Sequence, residues 1–356
     1  MTIFIPMLDF GASGGYRVLA ELGNRWHATG VECVYLVPWF AGEARYPVDA
    51  PVVYVGVLGR ETTRRTRELS GVGRVALAQL ALTRGLRVLS RPGDVVFSNH
   101  FLTTNAALGL ERRGVTHVRL MQAEESEYYP GNGAKARFYR RLVRRADELA
   151  PNVIVNSPEF LVGDSRRLGV LPPGIDLTTF GPSETAERPL TLGTVGRSEP
   201  WKGTDRVLQA VRLAEIAGEY VVSVADFGAE LSGFSDLPLR TTVPASDSEL
   251  ADWYRSVDFV IVGGSGQPGA YHYPCLEALA TGATLVTPWY RPAETANAWV
   301  VAEPTPELLS EAIKAALGDP EQRRARREAG LATVKELDWR HLAASALELI
   351  QDAAGR

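Results

Sequence analysis

The chain has 356 residues, 45 % hydrophobic and 22 % charged, with 34 glycines, 22 prolines and a formal net charge of −4. These are globular proportions, which exclude disordered, collagenous and coiled-coil readings, and the length exceeds what one hydrophobic core usually supports. The two cysteines, Cys33 and Cys275, form neither a disulfide framework nor a zinc pattern and fit a reducing, cytoplasmic compartment.

In chain order, short Val- and Ile-rich runs alternate with longer segments of helical period. Thr2–Met7 reads as a buried strand rather than a signal peptide, since no basic leader precedes it and Asp9 follows. After the loop Phe10–Gly15, the residues Val18, Leu19, Leu22 and Trp26 fall at helical spacing. Strands are expected at 31–37, 52–55, 95–98, 117–121 and 153–156, with a helix around Lys135–Leu149. Leu171-Pro172-Pro173-Gly174-Ile175-Asp176 and the polar run Gly181–Arg188 break the alternation and mark an interdomain linker. It then restarts, with strands at 190–195, 220–224, 259–262 and 284–287 and helices at 204–217, 248–256 and 273–281. From Thr305 onward the chain reads as helix. Strand–helix alternation of this kind implies parallel sheets covered on both faces, hence two Rossmann-like α/β domains facing a cleft. The expected boundaries are 1–178, 179–335 and a C-terminal helix, 336–356, that packs back on the first domain.

Charge is unevenly spread. Residues 1–178 hold 22 basic and 17 acidic side chains, leaving 16 basic and 25 acidic beyond them, so the halves are expected to meet different partners. No window offers the ~20 apolar residues of a membrane span.

In doubly wound sheets ligands bind beyond the carboxyl ends of strands, at helix N-termini. Three segments sit at such places. Gly11-Ala-Ser-Gly14-Gly15 follows the first strand, either as a close backbone approach to an anion or as a plain strand–helix turn. Gly196-Arg197-Ser-Glu-Pro-Trp201-Lys202-Gly203 follows the first strand of the second half. Its two cations suit a diphosphate, the alternative being two solvated charges. The run Gly263-Gly264-Ser265-Gly-Gln-Pro-Gly269-Ala270 leads through Tyr271-His272-Tyr273-Pro274 to Glu277. That carboxylate is expected in the first turn of a helix, held there by the helix dipole or free to accept both hydroxyls of a ribose.

Taken in order, these segments resemble the retaining glycosyltransferases of family four, which have the two-domain GT-B fold. Pro172-Pro173-Gly174-Ile175-Asp176-Leu-Thr-Thr-Phe180 resembles that family's interdomain motif, and Gly196-Arg197 with Lys202-Gly203 its phosphate clamp. Pro274-x-x-Glu277-Ala278-x-Ala280-x-Gly282 is similar to its nucleotide motif, and Gly14-Gly15 to its N-terminal glycine loop. A narrower likeness runs through Gln122-Ala-Glu-Glu125-Ser-Glu-Tyr128-Tyr129-Pro130 and His272-Tyr273-Pro274, which resemble bacterial rhamnosyltransferases of surface-polysaccharide assembly that use a dTDP-sugar.

The resemblance implies transfer of a hexose or deoxyhexose from a nucleoside-diphosphate sugar, a co-substrate rather than a cofactor, to a glycan, lipid-linked or small-molecule hydroxyl. It implies that Arg197 and Lys202 neutralise the leaving diphosphate and that His100, at a strand end, lines the donor sugar. Gly14, Gly15, Glu125, Gly264, Ser265, His272, Tyr273 and Glu277 would bind the donor. One position departs from the family: its nucleotide motif begins with a second glutamate eight residues before Glu277, where this chain has Gly269. Either Glu125 or His272 compensates, or the donor is a deoxysugar without the usual hydroxyl pattern, or activity is weak. No Asp-x-Asp occurs, so metal-independent transfer is expected. The departure also leaves room for a non-catalytic nucleotide-sugar-binding subunit, and the fold for a GT-B nucleotide-sugar epimerase.

One basic segment is left over. In Lys135–Arg145 the apolar positions Phe138, Leu142 and Ala146 form a stripe flanked by cations, and a second arginine-rich stretch runs through Arg60, Arg64, Arg65, Arg67 and Arg74. These read as peripheral contact with anionic lipid at the inner membrane face or as a solvated helix surface. Nucleic acid is not expected as a partner, because the net charge is negative and no aromatic-interleaved groove is visible.

Overall fold

A computed structural model describes residues 1–11, 14–64, 71–160, 165–182 and 189–355. Ala12 and Ser13 of the first glycine loop, Arg65 and Arg67 of the second basic stretch, and 183–188 of the linker lie outside the described residues. The chain divides into two compact units, Met1–Pro173 with Trp339–Arg356, and Gly174–Asp338.

In the first unit the strands are β1 (Ile3–Pro6), β2 (Cys33–Pro38), β3 (Val52–Val55), β4 (Val95–Ser98), β5 (Thr116–Met121), β6 (Asn152–Val155) and β7 (Arg166–Val170). Between them run helices α1 (Gly14–Ala28), α2 (Gly71–Leu89), α3 (Phe101–Ala107) and α4 (Ala134–Leu149). The sheet order is β3-β2-β1-β4-β5-β6-β7 with every pair parallel. Its central strands are apolar almost throughout because helices cover both faces. One layer of core packs Phe4, Leu36 and Val96 against Leu82 and Leu86 of α2.

The second unit holds α5 (Leu177–Phe180), β8 (Leu190–Arg197), α6 (Thr204–Leu213), β9 (Tyr220–Phe227), β10 (Leu239–Thr242), α7 (Asp247–Arg255) and β11 (Phe259–Ile261). It continues with α8 (Tyr273–Thr281), β12 (Thr284–Pro288), β13 (Trp299–Val301), α9 (Pro306–Gly318) and α10 (Pro320–Lys335). Its order, β10-β9-β8-β11-β12-β13, is again all parallel. Strand order reverses beside the first strand of each sheet, between β1 and β4 and between β8 and β11. That reversal opens a crevice at the carboxyl ends where a ligand can enter.

The unit boundary falls at Pro173 rather than 178. The Ile175 N–H donates to the Leu337 carbonyl at 2.8 Å, Asp176 caps α5, and Phe180 is buried beside Tyr254, so this segment is built into the second unit. The closing helix α11 (Trp339–Ala354) belongs to the first unit: Trp26 Nε1 donates to the Ala343 carbonyl at 2.8 Å, and Leu349 lies against Gly169 of β7. On α4 the expected apolar stripe divides. Ala146 is buried and Leu142 packs on Phe101 and Leu102, whereas Phe138 is 57 % exposed beside the exposed cations Lys135, Arg137, Arg141, Arg144 and Arg145. Among the described residues no helix is long and apolar enough to cross a membrane.

Candidate functional site

In the second unit, the loops leaving β8 and β11 meet at the reversal point. After Arg197 the chain makes a tight turn over Pro200–Lys202 and reaches Gly203 in the left-handed region, φ 73°, before α6 begins. Thr204 closes the base of this loop, its hydroxyl accepting the Arg197 N–H at 2.9 Å. A β-carbon on Gly203 would stand 1.9 Å from the Gly263 carbonyl oxygen, and one on Gly263 would stand 2.4 Å from that of Gly203. The two loops therefore touch backbone to backbone, and the Ser265 N–H donates to the Trp201 carbonyl at 2.9 Å.

Three of the expected residues share one electrostatic neighbourhood here. The Lys202 ammonium is pushed below its ordinary pKa by burial and then by Arg197, with Glu199 opposing. His272, the residue before α8, is held down to about 3 by burial, then by Lys202 and Arg197, so its ring is neutral. Its Nδ1 is buried without a hydrogen-bond partner. Arg197 is exposed and lies over the Phe227 ring at 5.2 Å. Arg197 thus depresses Lys202, and both depress the neighbouring imidazole, as in a site with positive charge in excess, which an anion with two charged groups relieves.

The glycine loop is pinned from behind. His272 stacks on Tyr290 at 4.6 Å, and the Tyr290 hydroxyl accepts the Gly266 N–H at 3.0 Å. A β-carbon on Gly264 would lie 2.8 Å from that hydroxyl, so a side chain there displaces the loop. Gly269 has φ 79° and donates its N–H to the Trp289 carbonyl at 2.8 Å. Tyr273 opens α8 and is half-buried. Glu277 sits in the second turn of α8, not the first, and is 3 % exposed. The helix dipole acts within the first turn, so it does not account for a carboxylate at this depth.

In the first unit, Gly14 opens α1 and the Gly15 carbonyl accepts from the side-chain amides of Asn99 at 3.5 Å and Gln122 at 3.4 Å. A β-carbon on Gly15 would make only ordinary contacts, at 3.6 Å and beyond. The loop after β4 carries His100, which caps α3: its Nδ1 accepts the Leu102 N–H at 3.1 Å, and its own N–H donates to Thr103 Oγ1 at 3.2 Å. That fixes the proton of the neutral ring on Nε2, which lies 3.5 Å from Glu125 Oε1. Burial and then Arg119 hold this imidazole down to about 4. Its one basic nitrogen is already taken.

Glu125, expected at the donor sugar, is turned inward. It accepts the Phe101 N–H at 2.9 Å and Arg119 Nη2 at 2.9 Å, while the buried Arg119 also pairs with Asp147. Burial pushes its carboxyl up to about 7, with Arg119 and the Phe101 N–H opposing.

Sequence reasoning did not anticipate Arg119, Phe227, Tyr290 or Arg206. Arg119 had a signal, a charge inside the apolar run 116–121. Arg206 had one too, a cation in the first turn of a helix, where the dipole disfavours it.

No family model matches the chain. D-inositol 3-phosphate glycosyltransferase of Thermobispora bispora is 26 % identical over 321 residues, covering 76 % of this chain and 73 % of that one. D-inositol 3-phosphate glycosyltransferase 1 of Catenulispora acidiphila is 25 % identical over 378 residues, covering 92 % and 88 %. Among solved structures, Anabaena Alr3699/HepE in complex with UDP and glucose superimposes with a TM-score of 0.71 at 14 % identity, over 99 % of both chains. WaaG, a glycosyltransferase involved in lipopolysaccharide biosynthesis, gives 0.71 at 18 % identity over 98 % of this chain and 99 % of that one. The fold is the GT-B type, two parallel-sheet α/β domains. In sequence the chain is similar to glycosyltransferases along most of its length.

Proposed function

We propose that the chain is a glycosyltransferase that moves a hexose or deoxyhexose from a nucleoside-diphosphate sugar to a hydroxyl acceptor, with retention and without a metal ion. The observation that carries this reading is the excess positive charge that Arg197 and Lys202 bring beside the neutral His272 ring beyond the end of β8. Arg197 and Lys202 hold the diphosphate there. As the bond from the anomeric carbon to the leaving phosphate oxygen breaks, they stabilise the charge growing on that oxygen, the kind of preorganised electrostatics that usually dominates catalysis. The acceptor oxygen bonds to the anomeric carbon on the same face, and its proton passes to the departing phosphate. Glu277 accepts the ribose hydroxyls, and Gly264, Ser265 and Tyr273 line the donor.

In the first unit, Gly14 and Gly15 leave room for the donor, and His100 meets sugar hydroxyls as a neutral ring. Its pKa of about 4 argues against a role as general base. Glu125 acts through His100 rather than on the sugar. A deoxyhexose donor is favoured by Gly269, whose left-handed backbone leaves no carboxylate for the hydroxyls the family's second glutamate would hold. The relatives named for inositol 3-phosphate make a polyol acceptor a reasonable class beside glycans. The exposed cations and Phe138 of α4 supply the means for peripheral contact with anionic lipid. The same Gly269 favours one second reading, a non-catalytic nucleotide-sugar-binding subunit.

Incubation with UDP-, GDP- and dTDP-sugars tests both. Transfer or donor hydrolysis is expected from at least one sugar, and Arg197→Ala with Lys202→Ala is expected to abolish it with unfolding unchanged. Binding without turnover supports the non-catalytic reading. Absence of binding, or a double variant with near-normal rates, removes the clamp.

A further inference from the structure

We propose that Arg206 is a positioning residue: it latches the loop after β8 to the glycine loop after β11, so that Lys202 and Ser265 meet a nucleoside diphosphate as one rigid surface. This rests on the reading above that these loops hold the diphosphate.

The two loops meet backbone to backbone at Gly203 and Gly263, which have no side chains to interlock, and the Ser265 N–H to Trp201 carbonyl bond links them again. Arg206 bridges both. Its Nε donates to the Gly263 carbonyl at 3.0 Å, and its Nη2 reaches Ser265 Oγ at 3.2 Å and the Pro200 and Trp201 carbonyls at 3.4 Å each. Three carbonyl oxygens from two loops thus point at one guanidinium, whose charge offsets the repulsion among them. A planar fork with five N–H donors suits this geometry, whereas a lysine ammonium is a compact point charge on a flexible stem. The position gains nothing from its own helix, because a cation in the first turn of α6 opposes the dipole. The contacts across the loops are therefore what Arg206 is placed to make.

Arg206→Lys and Arg206→Ala in the full chain, with Lys202→Ala beside them, test the latch with UDP as the probe. Calorimetric titration is expected to show a Kd raised about tenfold in Arg206→Lys, from loss of charge-assisted bonds. Amide hydrogen exchange is expected to quicken at Ser265 and Gly203 while the rest of the unit keeps its protection. Arg206→Ala carries the same comparison to complete loss of the fork, and Arg206→Lys keeps the test decisive if the alanine variant does not fold. Faster exchange with unchanged UDP affinity overturns the proposal, because the latch would then not serve the ligand. Weaker binding with unchanged exchange also overturns it, because Arg206 would then touch the ligand itself. If Arg206 variants bind normally while Lys202→Ala does not, the latch fails and the diphosphate reading stands. If wild-type protein and Lys202→Ala bind UDP, GDP and dTDP equally or not at all, the diphosphate reading fails, and the latch with it.

Discussion

Replacing Gly203 with alanine separates two effects that the structure allows to be reckoned apart. At φ 73° an L-residue is strained, at a cost of about 1–2 kcal/mol. In addition the new β-carbon would stand 1.9 Å from the Gly263 oxygen, where ordinary contact begins near 3.4 Å, so the loops must separate by about 1.5 Å. Gly218 supplies the control. It has φ 85° but nothing within 4 Å of its β-carbon position, and it precedes β9, at the opposite end of the sheet from the crevice. Gly218→Ala should therefore show backbone strain alone, lowering the midpoint of thermal unfolding by ~2–4 °C per kcal/mol for a unit of this size, with normal affinity for UDP. Gly203→Ala should match or exceed that loss of stability. Moving Lys202 by more than an ångström should also lower transfer from the preferred donor by about 10²-fold. Thermal unfolding, UDP titration and initial rates on the three proteins decide the matter. A Gly203→Ala enzyme that binds and turns over like Gly218→Ala would refute the claim that backbone contact between these loops sets the site.

Two other expectations follow from buried and strained positions. Glu125 is raised to about 7 from an ordinary value near 4.5, so between those pH values the folded protein holds this proton more firmly than the unfolded chain does, and its contribution to stability is lost as pH rises to about 7. The stability of wild type minus that of Glu125→Gln, from denaturant titrations at pH 4.5 to 7.5, should fall across this window; a rising difference would mean that Arg119 outweighs burial. His100, lowered to about 4, works in the opposite sense between about 4 and 6.5 and remains in both proteins. Placing a glutamate at this position with Gly269→Glu should cost about 1–2 kcal/mol by thermal unfolding, since φ is 79°, and should not raise turnover of UDP-glucose. An increase would show that the loop accepts the carboxylate.

The parts of the fold that were legible are those where one physical requirement acts on consecutive residues. Central parallel strands such as Cys33–Pro38 and Phe259–Ile261 are covered on both faces, so burial writes itself into an unbroken apolar run. Two of the edge strands carry no such mark. Leu239-Arg-Thr-Thr in β10 and Arg166-Arg-Leu-Gly-Val in β7 are largely exposed and polar, and neither stands out from a loop. Helix α2 escaped for a different reason: Gly71, Gly73 and Gly85 punctuate it, yet Gly85 is there because Val55 lies about 3.1 Å from where its β-carbon would be. A packing demand from a distant strand looks, in one dimension, like a break.

The site divides along the same line. That Arg197, Lys202 and His272 come together was legible because glycines at fixed spacing mark loops that must come close to something. Glu125 and His100 were not, because whether a polar side chain meets a ligand or a neighbour is settled by strand register. Ser98 pairs with Arg119 across β4 and β5, which brings a buried guanidinium level with the turn that carries His100. Six residues after Arg119 the chain places Glu125 against that charge and against the Phe101 N–H, and the carboxylate is consumed there. The buried Arg119 is held between Glu125 and Asp147, and removing one partner of a buried charge costs several kcal/mol. Glu125 is therefore accounted for by Arg119, and His100 is left with a fixed tautomer, its Nε2 3.5 Å from that same carboxylate.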